Sequence, residues 1–221
     1  MKTTARRLAD LDPDQRKAVL AGLSAQELAD LEYSWEFWRQ PHQTPPAPPW
    51  RLWLLCAGRG SGKSWTGAQW VRNEIESGRR RSIALVAPTH LAGRKVMIED
   101  GLLRLCPPNA MPVYEMATSV VRWPNGGVCH LLSSESPDRI RGFNFDGAWC
   151  DEIGAYENAE DTWDQLSFAL RLTGPTGAEP AIVGATTPRP TRLLRRLLED
   201  PGTVVTKATT YDTLPTSTPR S

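Results

Sequence analysis

The sequence predicts an α/β fold, a mostly parallel sheet flanked by helices and entered through an N-terminal helical preface. Three observations carry this. Apolar runs of strand length recur along the chain, separated by stretches of helical spacing. Those runs are apolar throughout, as expected of strands covered on both faces. The first of them leads through a glycine-rich turn, AGRGSGKSW at 57–65, straight into a helical stretch.

Residues 1–40 form the preface. Asp12-Pro13 starts one helix, with Gln15 completing a box-like cap. Ser24 and Glu27 start a second, which carries Leu28, Leu31, Trp35 and Trp38 at helical spacing. That stripe reads as core against the next domain. Residues 41–50, PHQTPPAPPW, read as a stiff extended linker. The domain proper spans 51–210. Strands are expected at 51–57 and 82–88, with helices at 62–77 and 89–105. A hairpin over 119–134 turns at Pro124-Asn125-Gly126-Gly127. Then come a short buried strand at 147–151, a helix near 158–172, a strand at 180–187, the helix TRLLRRLLED and a last strand at 203–210. Residues 211–221 read as a disordered or truncated linker.

Bulk properties narrow the classes. A chain of 221 residues fits one domain, or one domain with an appendage. The formal net charge is +1, so nucleic-acid binding cannot be argued from overall charge. The basic run GRRRS at 78–82 reads as a solvated helix end. No run approaches the roughly 18 apolar residues of a membrane span. The N-terminus lacks the apolar core of a secretion signal. The four cysteines have no metal-like spacing and read as buried reduced thiols of a cytosolic protein. The three histidines are too scattered for a metal site.

Four constellations carry chemistry. In AGRGSGKS, Gly58, Gly60 and Gly62 let backbone N–H groups curl around an anion, with Ser61 between them and Trp65 just after. Lys63 is placed to reach β- and γ-phosphates, and Ser64 offers a hydroxyl to Mg²⁺. The bland alternative is a glycine-rich turn with an exposed lysine. In FDGAWCDE, 145–152, an apolar strand ends in two carboxylates: Asp151 suits a Mg²⁺ site and Glu152 suits activation of water. The alternative is a solvated acidic turn. In IVGATTPRP, 182–190, Thr186 and Thr187 end a strand where open α/β sheets bind ligands, or the strand simply stops at Pro188. In SPDRIRG, 136–142, Arg139 and Arg141 could meet phosphate, DNA or a neighbouring subunit, or only solvent.

Read in order, WLLCAGRGSGKSWTGAQWV, ALVAPTHLAGRKVMIEDGLL, VVRWPNGGVCHLLSSESPDRIRG, FDGAWCDEIGAY, WDQLSFALRL and ATTPRPTRLLRRLL resemble the large terminase subunit of tailed bacteriophages, prophages and gene-transfer particles. That subunit is the ATPase of a DNA-packaging motor. The similarity runs from about Trp35 to Asp212. It implies a P-loop NTPase fold of the RecA-like, additional-strand kind. It implies ATP and Mg²⁺ as cofactors, with Ser64 and Asp151 as metal ligands and Glu152 as catalytic glutamate. Arg59 corresponds to an arginine of the family's phosphate loop that acts in cis or links nucleotide state to motion. Thr186 and Thr187 fall on its coupling motif, with Ala185 replacing one threonine. Gln43, with Arg39 nearby, falls near an adenine-contacting position; Gln40 is the alternative. A trans-acting arginine would be Arg139 or Arg141.

The implied partners are double-stranded DNA, a homo-oligomeric ring on a portal, the small terminase subunit and a nuclease domain of the full-length chain, with no membrane. The implied location is the bacterial host cytoplasm, transiently docked on the procapsid. After Asp200 only Asp212 remains of the carboxylates a two-metal nuclease needs, so the chain is expected to be an isolated motor domain. Competing classes are a helicase- or recombinase-like DNA remodeller on the same core and a nucleotide-binding module that hydrolyses nothing. A small-molecule kinase fits less well, because no lid-like arginine-rich insertion is visible.

Overall fold

In the computed structural model, which describes residues 4–208, the chain divides into two units, Met1–Thr44 and Pro45–Ser221. The expected strand residues 209–210 and the tail 211–221 lie outside the described residues.

The first unit holds α1 (Thr4–Ala9), α2 (Pro13–Ala21), α3 (Ala25–Tyr33) and α4 (Trp35–Trp38). The Asp12 carboxylate accepts from the N–H groups of Asp14 and Gln15, so Gln15 takes part through its backbone. Ser24 and Glu27 close a reciprocal capping box. The apolar stripe is not one helix face. Ser34 adopts an extended conformation, ends α3 and caps α4 by accepting from the Phe37 N–H. Trp35 is buried, whereas Leu28 and Trp38 are exposed. Pro41–Gln43 forms a 3-10 turn, because proline suits a first helical position.

The second unit is built on an eight-stranded sheet. Its strands are β1 (Leu52–Ala57), β2 (Ser82–Ala87), β3 (Val113–Glu115), β4 (Val120–Arg122), β5 (Val128–Ser133), β6 (Gly147–Cys150), β7 (Ala181–Thr186) and β8 (Thr203–Ala208). Their order is β3-β4-β5-β2-β6-β7-β1-β8. From β5 to β8 every neighbouring pair is parallel, and β3, β4 and β5 are antiparallel. The helices are α5 (Lys63–Glu76), α6 (His90–Ala92), α7 (Leu103–Leu105), α8 (Ala159–Ala169) and α9 (Arg192–Glu199). Between α6 and α7 the chain stays helical, but Gly93–Leu102 is wound as a π-helix.

Alternation along the strands feeds two layers. One face carries Leu52, Leu54, Val86, Ala148 and Ile182 against Trp163, Leu166, Leu193 and Leu194 of α8 and α9. The other carries Trp53, Leu85 and Trp149, and receives α5 and the π-helix. Gly67 of α5 lies so close to the Trp149 indole that a Cβ there would overlap the ring. The three-residue β3 was not expected; it is a short edge strand whose Val113 is exposed.

The basic run 78–82 is only in part a solvated helix end: Arg79 and Arg81 are exposed, but Arg80 is not. Arg80 is buried and pairs with Glu74 at 3.2 Å. It also donates to the carbonyls of Asp146 and Glu179, and stacks over Trp70. Burial still pulls its guanidinium below the usual arginine range. The Asp146 carboxylate accepts from the Arg81 and Ser82 N–H groups, which ties β2 to the start of β6. All four cysteines are free; Cys106, Cys129 and Cys150 are buried and Cys56 is half-buried.

Candidate functional site

The site hangs from three adjacent strand ends. β7 lies between β1 and β6, pairing Cys56 with Thr186 on one side and Cys150 with Gly184 on the other. The phosphate-type loop follows β1, the two acids follow β6 and the threonines end β7. This is the crevice at the carboxyl edge of a parallel sheet, where such folds bind ligands.

The loop curls because Gly60 and Gly62 adopt φ of 78° and 79°, a region costly for residues with a Cβ. Gly62 is the N-cap of α5, so the first turn of the helix begins directly at the loop. Ser61 is buried, and its hydroxyl donates to the Gly58 carbonyl at 2.8 Å. The Lys63 ammonium donates to the carbonyls of Ala57 and Gly58, both at 3.0 Å. It lies 3.8 Å from Glu152 Oε1. Trp65 is half-buried on the first turn of α5, and Arg59 is exposed at the loop tip.

Ser64 and Asp151 meet across the crevice. The Ser64 hydroxyl is 3.1 Å from both oxygens of the Asp151 carboxylate. The Asp151 N–H donates to Val86 O, carrying the ladder one residue past β6. Burial pushes the Asp151 carboxyl up to about 7, and the nearby Glu152 charge acts in the same direction. The Ser64 bond and the Lys63 charge oppose it. A buried carboxylate beside a hydroxyl is a hard-oxygen pair of the type that binds Mg²⁺. Among the described residues no cluster of three or more His, Cys, Asp or Glu side chains could hold a metal.

Glu152 has left-handed backbone, φ 47° and ψ 49°. That is unusual for a residue with a side chain and places it on a constrained turn. Ala155 N–H donates to Glu152 O at 2.8 Å. The Thr187 hydroxyl donates to Glu152 Oε2 at 2.7 Å. Thr186 does not face the crevice as expected. It is fully buried, donating to Thr187 O at 2.9 Å and accepting from the Gly154 N–H at 3.1 Å. The two threonines therefore hold Glu152 differently, one by its carboxylate and one by its turn.

The remaining candidates are spread out. Arg139 lies on the 3-10 turn Pro137–Ile140 and is exposed. Arg141 is exposed and pairs with Asp138 at 3.2 Å. Arg39 and Gln43 belong to the first unit. Arg39 stacks over Trp35, and the buried Gln43 accepts from the Gln40 N–H at 2.7 Å. Two supporting residues escaped the sequence reading. Gly154 lies beneath the acid turn, signalled only by a glycine two residues after Glu152. Ser134 is buried at the end of β5; its hydroxyl donates to Pro88 O and accepts from Glu157 N–H, and its carbonyl accepts from Asn158.

Comparison with known proteins bears on the family and the fold. Residues 54–210 match the family model described as terminase large subunit, T4likevirus-type, N-terminal. No curated protein matches the chain. Among solved structures, the large terminase of a thermophilic bacteriophage in complex with ADP is similar at a TM-score of 0.61 and 16% identity. That match covers 86% of this chain and 46% of the phage protein, so the chain spans about half its length. The same terminase with ATP-γ-S gives a TM-score of 0.59 and 17% identity, covering 86% and 46%. The large terminase ATPase domain of Thermus phage P74-26 gives 0.51 and 15%, covering 74% of this chain and 80% of that one. These likenesses establish the fold. The family model spans most of the chain, and the chain therefore belongs to the terminase large subunit family, in the region of its N-terminal domain.

Proposed function

We propose that the chain is an ATP-hydrolysing motor domain that drives double-stranded DNA into a viral procapsid. The observation that carries the reading is the grip on Glu152. Its carboxylate stands between the Thr187 hydroxyl and the Lys63 ammonium, beside the Ser64–Asp151 pair. The likeness to terminases solved with ADP and ATP-γ-S supports ATP as the nucleotide.

In this reading the N–H groups of the 58–62 loop cradle the phosphates. Lys63 exchanges its loop carbonyls for phosphate oxygens. Ser64 and Asp151 would hold Mg²⁺, which supplies charge neutralisation at the phosphates when bound. Glu152 orients the attacking water and accepts its proton, and Thr187 fixes the carboxylate's direction. Arg59 extends from the loop tip to charge developing on the γ-phosphoryl group. The work is positioning and electrostatics. Gln43, with Arg39 nearby, is our choice for the adenine contact, with Gln40 as its alternative, and Arg139 or Arg141 for an arginine reaching a neighbouring subunit. The wider setting we propose is a ring on a portal in the host cytoplasm, with a small subunit and a nuclease domain as partners.

Phosphate release from ATP tests the site. Lys63→Ala and Glu152→Gln should each lower turnover by roughly a hundredfold or more. A Lys63→Ala chain hydrolysing at the native rate would overturn the assignment. Strand separation on a forked duplex would instead favour a helicase.

A further inference from the structure

The turn that carries Glu152 rests directly on the segment leading into α9. Gly154 lies at the contact. A Cβ there would come within 2.9 Å of Thr186 Oγ1, 3.3 Å of Leu194 Cδ1 and 3.4 Å of Arg189 Cβ. Only a residue without a side chain allows this approach. The catalytic turn and the head of α9 are thus packed backbone against side chain, with no intervening layer.

The outer face of α9 is unusual. Thr191 caps the helix by accepting from the Leu194 N–H, and Leu193, Leu194 and Leu197 are buried. Arg192 and Arg195 of the helix, and Arg189 just before it, are all exposed. Arg196 is already committed to Glu160 and Asp164, each at 3.1 Å. Arg192 is 93% exposed, and its distance to Glu160 is 3.9 Å. Arg195 donates to the Pro190 carbonyl at 3.2 Å, which steers its guanidinium toward the helix start. Residues three apart on a helix are neighbours, about 5–6 Å between Cβ atoms. Arg192 and Arg195 are such a pair, and Arg189, which precedes the helix, is exposed with its Cβ beside the Gly154 turn.

We propose that Arg189, Arg192 and Arg195 form a contact surface for the phosphodiester backbone of duplex DNA, and that contact there reaches Glu152 through Gly154. The proposal rests on the motor reading above and adds to it the surface that senses the cargo. Guanidinium forks match phosphate oxygens. A chain of net charge +1 can hold a polyanion only through such a local cluster. A protein partner fits the face less well, because protein interfaces centre on buried apolar anchors. The exposed large apolar residue of α9, Leu198, lies at its opposite end.

The test is binding of a short fluorescent duplex to the whole chain at several salt concentrations, by anisotropy. Arg192→Gln/Arg195→Gln should weaken binding about tenfold at low salt and lower the slope of log K against log salt by roughly 1.8, the change expected when two phosphates are no longer neutralised. Lys95→Gln/Arg104→Gln, an equal charge change on exposed residues elsewhere, should leave the slope unchanged. Arg192→Lys/Arg195→Lys should keep most of the slope, which shows that a loss comes from charge and not from misfolding. An unchanged slope in the Gln pair, an equal loss in the control, or no duplex binding by the native chain overturns the proposal. So does a loss of slope in the Lys pair, or a change in self-association by light scattering that accounts for the binding change. ATP turnover with and without duplex is read in parallel, and duplex should alter turnover in the native chain but not in the Gln pair. A native chain whose turnover ignores bound duplex overturns the link through Gly154. Failure of the native chain to hydrolyse ATP at all overturns the motor reading, while the salt slope judges the DNA surface on its own.

Discussion

The Thr187 hydroxyl donates a 2.7 Å hydrogen bond to the Glu152 carboxylate, joining the end of β7 to the turn after β6. Glu152 is partly open to solvent, so without this bond its carboxylate is free to rotate away. Thr187→Val keeps the shape and removes the donor. Turnover of ATP should fall about 10- to 100-fold with KM nearly unchanged, since misplacement of a catalytic group costs rate. Thr187→Ser should retain most activity. Steady-state kinetics of the two variants checks this.

Arg80 makes the opposite kind of prediction, one about stability. Removing it with Arg80→Leu takes one of two cations from Glu74, which keeps Arg79 at 2.6 Å, and leaves the carbonyls of Asp146 and Glu179 without their donor. Breaking a buried pair from one side costs about 3–5 kcal/mol, and the remaining Arg79 puts the loss at the low end of that range. Urea unfolding should show a loss of that order. Arg80→Lys should recover only part of it, because one ammonium cannot serve Glu74, Asp146 and Glu179 at once.

Gly67→Ala places a methyl group against the Trp149 indole. The helix that begins with Lys63 would have to move off the sheet. Overpacking of this kind costs about 1–3 kcal/mol. Nucleotide affinity should fall along with the unfolding midpoint, because the loop's geometry depends on where α5 sits. Calorimetric titration with ATP, beside a melting curve, reads both.

Asp151 gives the chain a pH dependence when no divalent cation is present. Its carboxyl is raised by burial to about 7, above the ordinary value of 3.8. The folded state therefore holds a proton that the unfolded chain releases near pH 4. The stabilisation is full below pH 4 and is lost as pH climbs toward 7. His130, whose ring burial pulls below the usual range, works in the opposite sense. Melting temperature in chelator-treated buffer should fall from pH 5 to pH 7.5 relative to Asp151→Asn, in which this contribution is absent. Parallel curves for the two proteins would count against the buried protonated acid.

Much of the site was legible because its signals are local. Glycines at 58, 60 and 62, the Lys63-Ser64 pair and a strand ending in two acids each specify backbone and chemistry within a few residues. Their convergence follows from the parallel order of β1, β7 and β6. What escaped depends on distant neighbours. Arg80 looked like part of a solvated run, and only Glu74 and the carbonyls of Asp146 and Glu179 make its burial tolerable. Thr186 and Thr187 are alike in sequence, yet strand alternation sends one inward to Gly154 and the other to Glu152. β3 is too short and exposed to give a periodic signal, and exists because β4 offers it an edge. The Leu28-to-Trp38 stripe had helical spacing, but Ser34 competes for backbone N–H groups and splits it.

β7 shares a continuous ladder with both β1 and β6. The glycine loop after β1 and the acids after β6 are therefore joined through one strand. Amide protons of β7 should exchange only on global opening, and nucleotide binding should vanish in the same transition as the fold.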